Sequence, residues 1–511
     1  MKKSIAIAIG SALLIQGPAV PLSAQSGSRQ APERGFCREP AALPNLPGER
    51  QYSQNQSRRR DEDDRIVVTG SRVAEAELAD AGYASAPPPP APPPPPPPAS
   101  SEGGALRESS TPVVVTGSMD RAESTSLPPG KRIMPRPPRP QSGLLTAGEH
   151  DDLLNPELYA DYVRRSSLGQ SIKELPLLDT TRLLTVEVRD DRGQAVPFAP
   201  VTVRCSDGNS ITLRTLADGR AVFFPNVDRL SPEVRVRAGN TGWREVEIGR
   251  NFGGTTLNFT QSRNAGAVRK LDLALVIDVT GSMSDELSYL QTELRAILNR
   301  IESRHRNIDI RVGFSFYRDQ GDEFVTRTSG LSRDIDANQS LLARQRASGG
   351  GDYPEAMQDA LVRAANLDWR DDAVKTVLLV GDAPPHNQDF PQAWLAAEHL
   401  RAERVHIVPV GASGVADEAE YLMRAMAAAT QSRYTFLTDD SGIGNPHAAP
   451  AIDCYLVTRL DTLLTRIIDS QISGRRIEPD DNEIIRSVGD YDAGRCILPP
   501  NFAQGQSKRG A

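Results

Sequence analysis

The sequence predicts an α/β protein, a doubly wound and mostly parallel sheet, preceded by a small antiparallel β-sandwich and a Pro-rich N-terminal region. Three observations predict it. The stretch "LDLALVIDVTGSMSDEL", Leu271 to Leu287, holds a continuous apolar run from Leu273 to Ile277 that stops on Asp278, as in a strand buried on both faces of a parallel sheet. Downstream, "AVKTVLLVGD" at 373–382 and "VHIVPVGA" at 405–412 repeat that pattern between helical stretches. Upstream, between Leu183 and Phe259, short segments alternate with period two and are broken by Asp-Arg-Gly and Ala-Asp-Gly turns, the grammar of a sandwich.

Taken in chain order, residues 1–24 read as a signal peptide. Lys2 and Lys3 precede an apolar stretch ending near Ile15, and small residues lead to a cleavage point after Ala24. The apolar run is shorter than the roughly 20 residues that a membrane span requires. No later segment is apolar enough to cross a bilayer, so the chain is expected to be exported and soluble after cleavage. Residues 25–141 are polar and Pro-rich, with "PPPPAPPPPPPP" at 87–98, and are expected to form a disordered tether. Within them "RIVVTGSRVAEAE" at 65–77 and "PVVVTGSMDRAES" at 112–124 form a near-repeat. This V-V-T-G-S motif resembles a segment near the start of mature TonB-dependent outer-membrane receptors. It reads either as duplication drift or as a strand that adds to a partner's sheet edge.

Residues 181–262 form the predicted sandwich, with "LLTVEVRDDRGQAVPFAPVTVRC" and "SITLRTLADGRAVFFP" as its first strands. The pattern at Val188 to Val203 and Thr215 to Phe223 resembles transthyretin-like and carboxypeptidase-regulatory-like modules, which implies an accessory or spacer. Residues 269–473 form the α/β unit, with a hairpin expected over 308–331, and residues 474–511 a polar tail. A formal net charge of −7 and no basic block beyond "SRRR" at 57–60 argue against nucleic acid as a partner. The four cysteines lack metal-finger spacing and suit an oxidising compartment. A helix expected from about Asp453 leaves Cys454 off its apolar stripe, which pairs it with Cys496 in the tail. The six histidines are scattered, with no HExxH.

The chemistry concentrates at the carboxyl ends of the strands, where ligands of open α/β sheets bind. Asp278 ends one strand and is followed by Thr280 and Ser282; Asp382 ends another. A third loop, "ASGGGDYPEAMQDAL", places Asp352 before a helix expected to begin around Pro354. Carboxylates and hydroxyls alone suit a hard divalent cation, Mg²⁺ or Mn²⁺ in its place.

With "DVTGS", "GGGDYPE" and "VLLVGD" in this order, residues 269–473 resemble the von Willebrand factor type A domain, which has a Rossmann-like sheet and a metal-ion-dependent adhesion site. The resemblance implies Asp278, Thr280, Ser282, Asp352 and Asp382 as the metal set. Asp352 stands where the family usually has Thr, a form that resembles hemicentin-like and some bacterial members. Whether Asp352 or Glu355 reaches the metal stays open. The family's open coordination position accepts an acidic side chain of a partner protein, which implies binding without turnover. An exported adhesion or envelope-complex scaffold follows, in the periplasm or at the cell surface, with an envelope or outer-membrane protein as partner and no enzymatic activity. A metal-dependent hydrolase is the alternative, but the second acid of aspartyl-phosphate phosphatases is Thr280 here, and neither GxSxG nor a phosphate loop occurs. A purely structural envelope protein is the third reading.

Overall fold

The computed structural model describes residues 35–48, 143–166, 168–249, 253–262, 266–412, 414–442 and 447–498. The segment expected to be a signal peptide and both V-V-T-G-S copies lie outside the described residues.

The described chain opens with β1 (Thr146–His150) and helix α1 (Pro156–Arg165). The sandwich follows as β2 (Leu184–Asp190), β3 (Pro200–Cys205), β4 (Ser210–Arg214), β5 (Arg220–Phe223), β6 (Glu233–Ala238), β7 (Arg244–Glu247) and β8 (Thr255–Gln261). The α/β unit then runs β9 (Lys270–Asp278), α2 (Ser284–Arg304), β10 (Asp309–Tyr317), β11 (Thr326–Ser332), α3 (Ile335–Ala343), α4 (Met357–Ala365) and β12 (Val374–Gly381). It continues with α5 (Phe390–Ala402), β13 (Val405–Gly411), α6 (Asp417–Ala429), β14 (Tyr434–Thr438), β15 (Tyr455–Arg459), α7 (Leu460–Ser473) and β16 (Arg486–Val488).

Nine strands form one sheet in the order β11-β10-β9-β12-β13-β14-β1-β15-β16. Its centre, β10 to β14 in that order, is parallel throughout, and the remaining pairings are antiparallel. Period-two alternation sends successive side chains of each central strand to opposite layers. Leu273, Leu275 and Ile277 meet α2, α3 and α7, while Ala274 and Val276 meet α1, α4, α5 and α6. The chain steps from β9 to β10 on one side and to β12 on the other, so the switch in strand order falls between the carboxyl ends of β9 and β12.

The structure corrects several expectations. The region before the sandwich, left without elements by the sequence, supplies β1, which fills the gap between β14 and β15. The helix expected from about Asp453 begins at Leu460, because Leu456 to Arg459 pair with β1 and are held extended. Cys454 still bonds to Cys496, as expected from the sequence. The polar tail is a sheet edge in part, with β16 paired to β15. The sandwich, expected antiparallel, packs a β5-β2-β8 sheet on a β4-β3-β6-β7 sheet, and β2 and β8 run parallel. Residues 35–48, assigned by sequence to the tether, are docked: Cys37 bonds to Cys205, and Leu43 and Leu46 pack on the larger core. The physical reason is local, since this stretch carries apolar anchors and a cysteine that the proline tract lacks.

Candidate metal centre

Asp278 is the last residue of β9, and Tyr317, the last of β10, stands beside it in register. Asp278 is fully buried. Its Oδ1 accepts the backbone N–H of Thr280 at 2.9 Å and the Thr280 hydroxyl at 2.6 Å, a turn that fixes the loop before α2. The Ser282 hydroxyl lies 3.3 Å from that of Thr280. Asp278, Thr280 and Ser282 are thus one continuous oxygen surface. Asp382, directly after β12 and 3% exposed, supplies the acid on the other side of the switch point.

The Gly-rich loop is stitched to this surface through its backbone. Ser348 N–H donates to Val279 O at 3.0 Å, and Gly281 N–H donates to Gly349 O at 3.1 Å. Gly350 has φ +75°, and a Cβ there would meet Glu355 Oε1 at 2.7 Å and the Thr280 Cβ at 3.1 Å. Only glycine therefore lets Glu355 and Thr280 converge. The helix expected around Pro354 starts at Met357 instead, because Glu355 N–H donates to Pro384 O and Ala356 N–H to Arg318 O, bonds that tie the loop outward.

The sequence-predicted ligands therefore divide. Thr280 and Ser282 gather around Asp278, Asp382 faces them from the next strand end, and the acid that joins them from the third loop is Glu355. Asp352 is exposed and belongs to another grouping: among the described residues, Asp319, Asp352 and His386 bring ligand atoms within 4.8 Å of one another. Sequence reasoning passed over Tyr317, Asp319 and His386. The available signal was "FYRD", an acid just past the end of a strand adjacent to β9.

Electrostatics mark the centre. Burial, and next the charge of Asp382, push the Asp278 carboxyl up to about 7, tempered by hydrogen bonds from Thr280 and by the nearby Tyr317 hydroxyl. Burial and the charges of Asp278, Asp319, Asp322 and Asp382 push Glu355 up to about 9. Glu355 is 3% exposed, and its Oε2 has no hydrogen-bond partner; Asp278 Oδ2 likewise makes no hydrogen bond of ordinary geometry. Buried oxygens left without donors, beside two hydroxyls, are a donor set that a hard cation fits.

Comparison with known proteins bears on the α/β unit. Residues 272–445 match the family model of the von Willebrand factor A domain. Over 131 residues the chain is 40% identical to a putative ariadne-like RING finger protein of Acanthamoeba polyphaga mimivirus, covering 25% of this chain and 12% of that protein. Over 122 residues it is 27% identical to an alpha-protein kinase of Dictyostelium discoideum, covering 24% of this chain and 19% of that protein. The chain thus spans less than a fifth of the length of either relative. A solved structure, the conserved hypothetical protein BatB from Bacteroides thetaiotaomicron, is similar over 40% of this chain and 98% of its own, with 11% identity and a TM-score of 0.26. The family match begins just inside β9 and does not reach the sandwich. Residues 272–445 of this chain are a von Willebrand factor A domain, of a family that commonly mediates metal-dependent protein interactions.

Proposed function

We propose that the chain is an exported protein whose A domain binds Mg²⁺, or Mn²⁺ in its place, and uses the bound ion to hold an acidic side chain of a partner protein. One observation carries this reading. Asp278 and Glu355 are buried with other acids, and not with arginines, as the charges that act on them most strongly. Clustered acids of one sign take up either protons or a counter-charge, and a divalent cation provides the latter. Thr280, Ser282, Asp278 and Asp382 would hold the ion, with Glu355 in the role expected of Asp352. The ion would supply an electrophilic position for a carboxylate. Export is supported by the two disulfides, Cys37–Cys205 and Cys454–Cys496, which persist in oxidising compartments. An envelope or outer-membrane protein is the proposed partner, and no catalytic role is assigned.

Calorimetric titration of the full chain tests the proposal. Wild type should bind Mg²⁺ saturably and melt higher with it, by about 2.7 kcal/mol at a hundredfold excess over Kd. Asp278→Ala should fold, with a metal-free stability equal to or above wild type, and lose that shift together with chelator-sensitive recovery of an envelope partner. Equal Mg²⁺ binding by Asp278→Ala, or none by wild type, overturns the reading.

A further inference from the structure

Three residues outside the all-oxygen centre remain to be explained. Asp319 follows β10 and is 5% exposed, His386 follows β12, and Asp352 sits in the Gly-rich loop. His386 Nε2 lies 3.0 Å from Asp319 Oδ1, and the ligand atoms of all three residues fall within 4.8 Å of one another. A hydrogen-bonded Asp–His pair accounts for two of these residues but leaves Asp352 without a purpose.

We propose that Asp319, Asp352 and His386 form a second divalent-cation site, separate from the all-oxygen centre and suited to Zn²⁺. Donors bound to a common Zn²⁺ at about 2.0–2.2 Å lie closer to one another than 4.8 Å, so the three side chains would draw in around the ion. One imidazole with two carboxylates shifts preference from Mg²⁺ toward a borderline ion.

The three loops are already pinned in place. Ala356 N–H donates to Arg318 O, which joins the Asp352 loop to the Asp319 loop, and Glu355 N–H donates to Pro384 O, which joins it to the His386 loop. The same loop also carries a buried acceptor without a donor: Glu355 is 3% exposed and its Oε2 has no hydrogen-bond partner. Asp352 is exposed, which leaves a way in from solvent. The sheet rim therefore offers two donor sets, the first built of oxygens and the second carrying a nitrogen.

The test uses the full chain, stripped of metal and titrated with Zn²⁺ in the presence of excess Mg²⁺. Wild type should take up one Zn²⁺ saturably. His386→Ala and Asp352→Asn should weaken this uptake roughly tenfold or more, and Asp278→Ala should retain it. Asp352 is exposed, so its variant keeps the fold, which circular dichroism and melting verify. No saturable Zn²⁺ in wild type, unchanged uptake in both site variants, or loss in Asp278→Ala alone overturns the second site. Mg²⁺ binding measured separately on the same variants keeps the two proposals apart, since failure of one leaves the other's titration intact.

Discussion

Asp278 and Glu355 are surrounded differently from most buried acids of this chain. Glu149 lies 2.6 Å from Arg433, Asp152 2.7 Å from Arg424, Asp228 2.7 Å from Arg401 and Asp272 2.7 Å from Arg311. Burial raises the pKa of Glu149, yet Arg433 and Arg466 outweigh it and hold that carboxyl down at about 2. At the candidate metal centre no such cation is among the strongest influences, and the shift has the opposite sign. The consequence for pH follows from linkage. Asp278 and Glu355 bind protons more tightly folded than at their ordinary values of 3.8 and 4.5, so their contribution to metal-free stability is complete below about pH 4. That contribution is lost as pH rises to about 7 for Asp278 and about 9 for Glu355. Metal binding requires the ionised forms and follows the reverse course. Melting with and without Mg²⁺ should therefore diverge from about pH 5 to about pH 9, the metal-free curve falling and the Mg²⁺-induced shift growing. A shift that shrinks with pH would contradict the assignment.

At the scale of elements, β1 is the piece on which the sheet depends. It pairs antiparallel with both β14 and β15, and its Glu149 bridges Arg433, just before β14, and Arg466 of α7. Gly148 is fixed by space: a Cβ there would fall 2.3 Å from the ring of Phe436, its register partner. Gly148→Ala should cost about 1–3 kcal/mol through overpacking, read from urea or thermal unfolding. Phe436→Leu in the same chain should recover part of the loss, whereas an unchanged midpoint for Gly148→Ala alone would show that the ring moves freely. The Cys454–Cys496 bond acts on the same edge. It closes a 42-residue separation that ties β16 and the tail to the start of β15, which in the chain-entropy model contributes about 4 kcal/mol.

At the scale of the whole molecule, the α/β unit is discontinuous in sequence. Its sheet takes β1 from before the sandwich and β9 to β16 from after it, so the sandwich is an insertion between two strands of one sheet. The sandwich is anchored to that unit as well as tethered. Val222 and Phe224 enter the larger core, and Arg401 of α5 is 2.7 Å from Asp228. A chain beginning at residue 140 should fold and retain metal-dependent melting. A chain beginning at residue 181, where the predicted sandwich starts, should not, because removing β1 opens the paired edges of β14 and β15 inside the sheet and takes Glu149 from two buried arginines. Expression of both, followed by circular dichroism and size exclusion, checks this; a monomeric, cooperatively folded 181–511 would contradict it.

The sequence by itself determined the α/β class and the oxygen-rich strand ends, because those features are local. An apolar run that stops on Asp278, a turn closed by Thr280, and a run that stops before Asp382 are each written within a dozen residues. It also determined the partner of Cys454, although the helix invoked for it begins about seven residues later than expected. Only the tertiary structure decided where the Gly-rich loop sends its acids. Sequence spacing leaves Asp352 and Glu355 both eligible, and the choice rests on backbone bonds to Arg318 and Pro384, residues on two other loops. The same holds for β1, whose "TAGEH" carries no strand periodicity and is a strand because Tyr434–Thr438 and Leu456–Arg459, far along the chain, offer it two edges and two arginines. Propensity and pattern act over neighbouring residues, whereas these placements are set by pairings across about 300 residues of chain, which no local signal encodes.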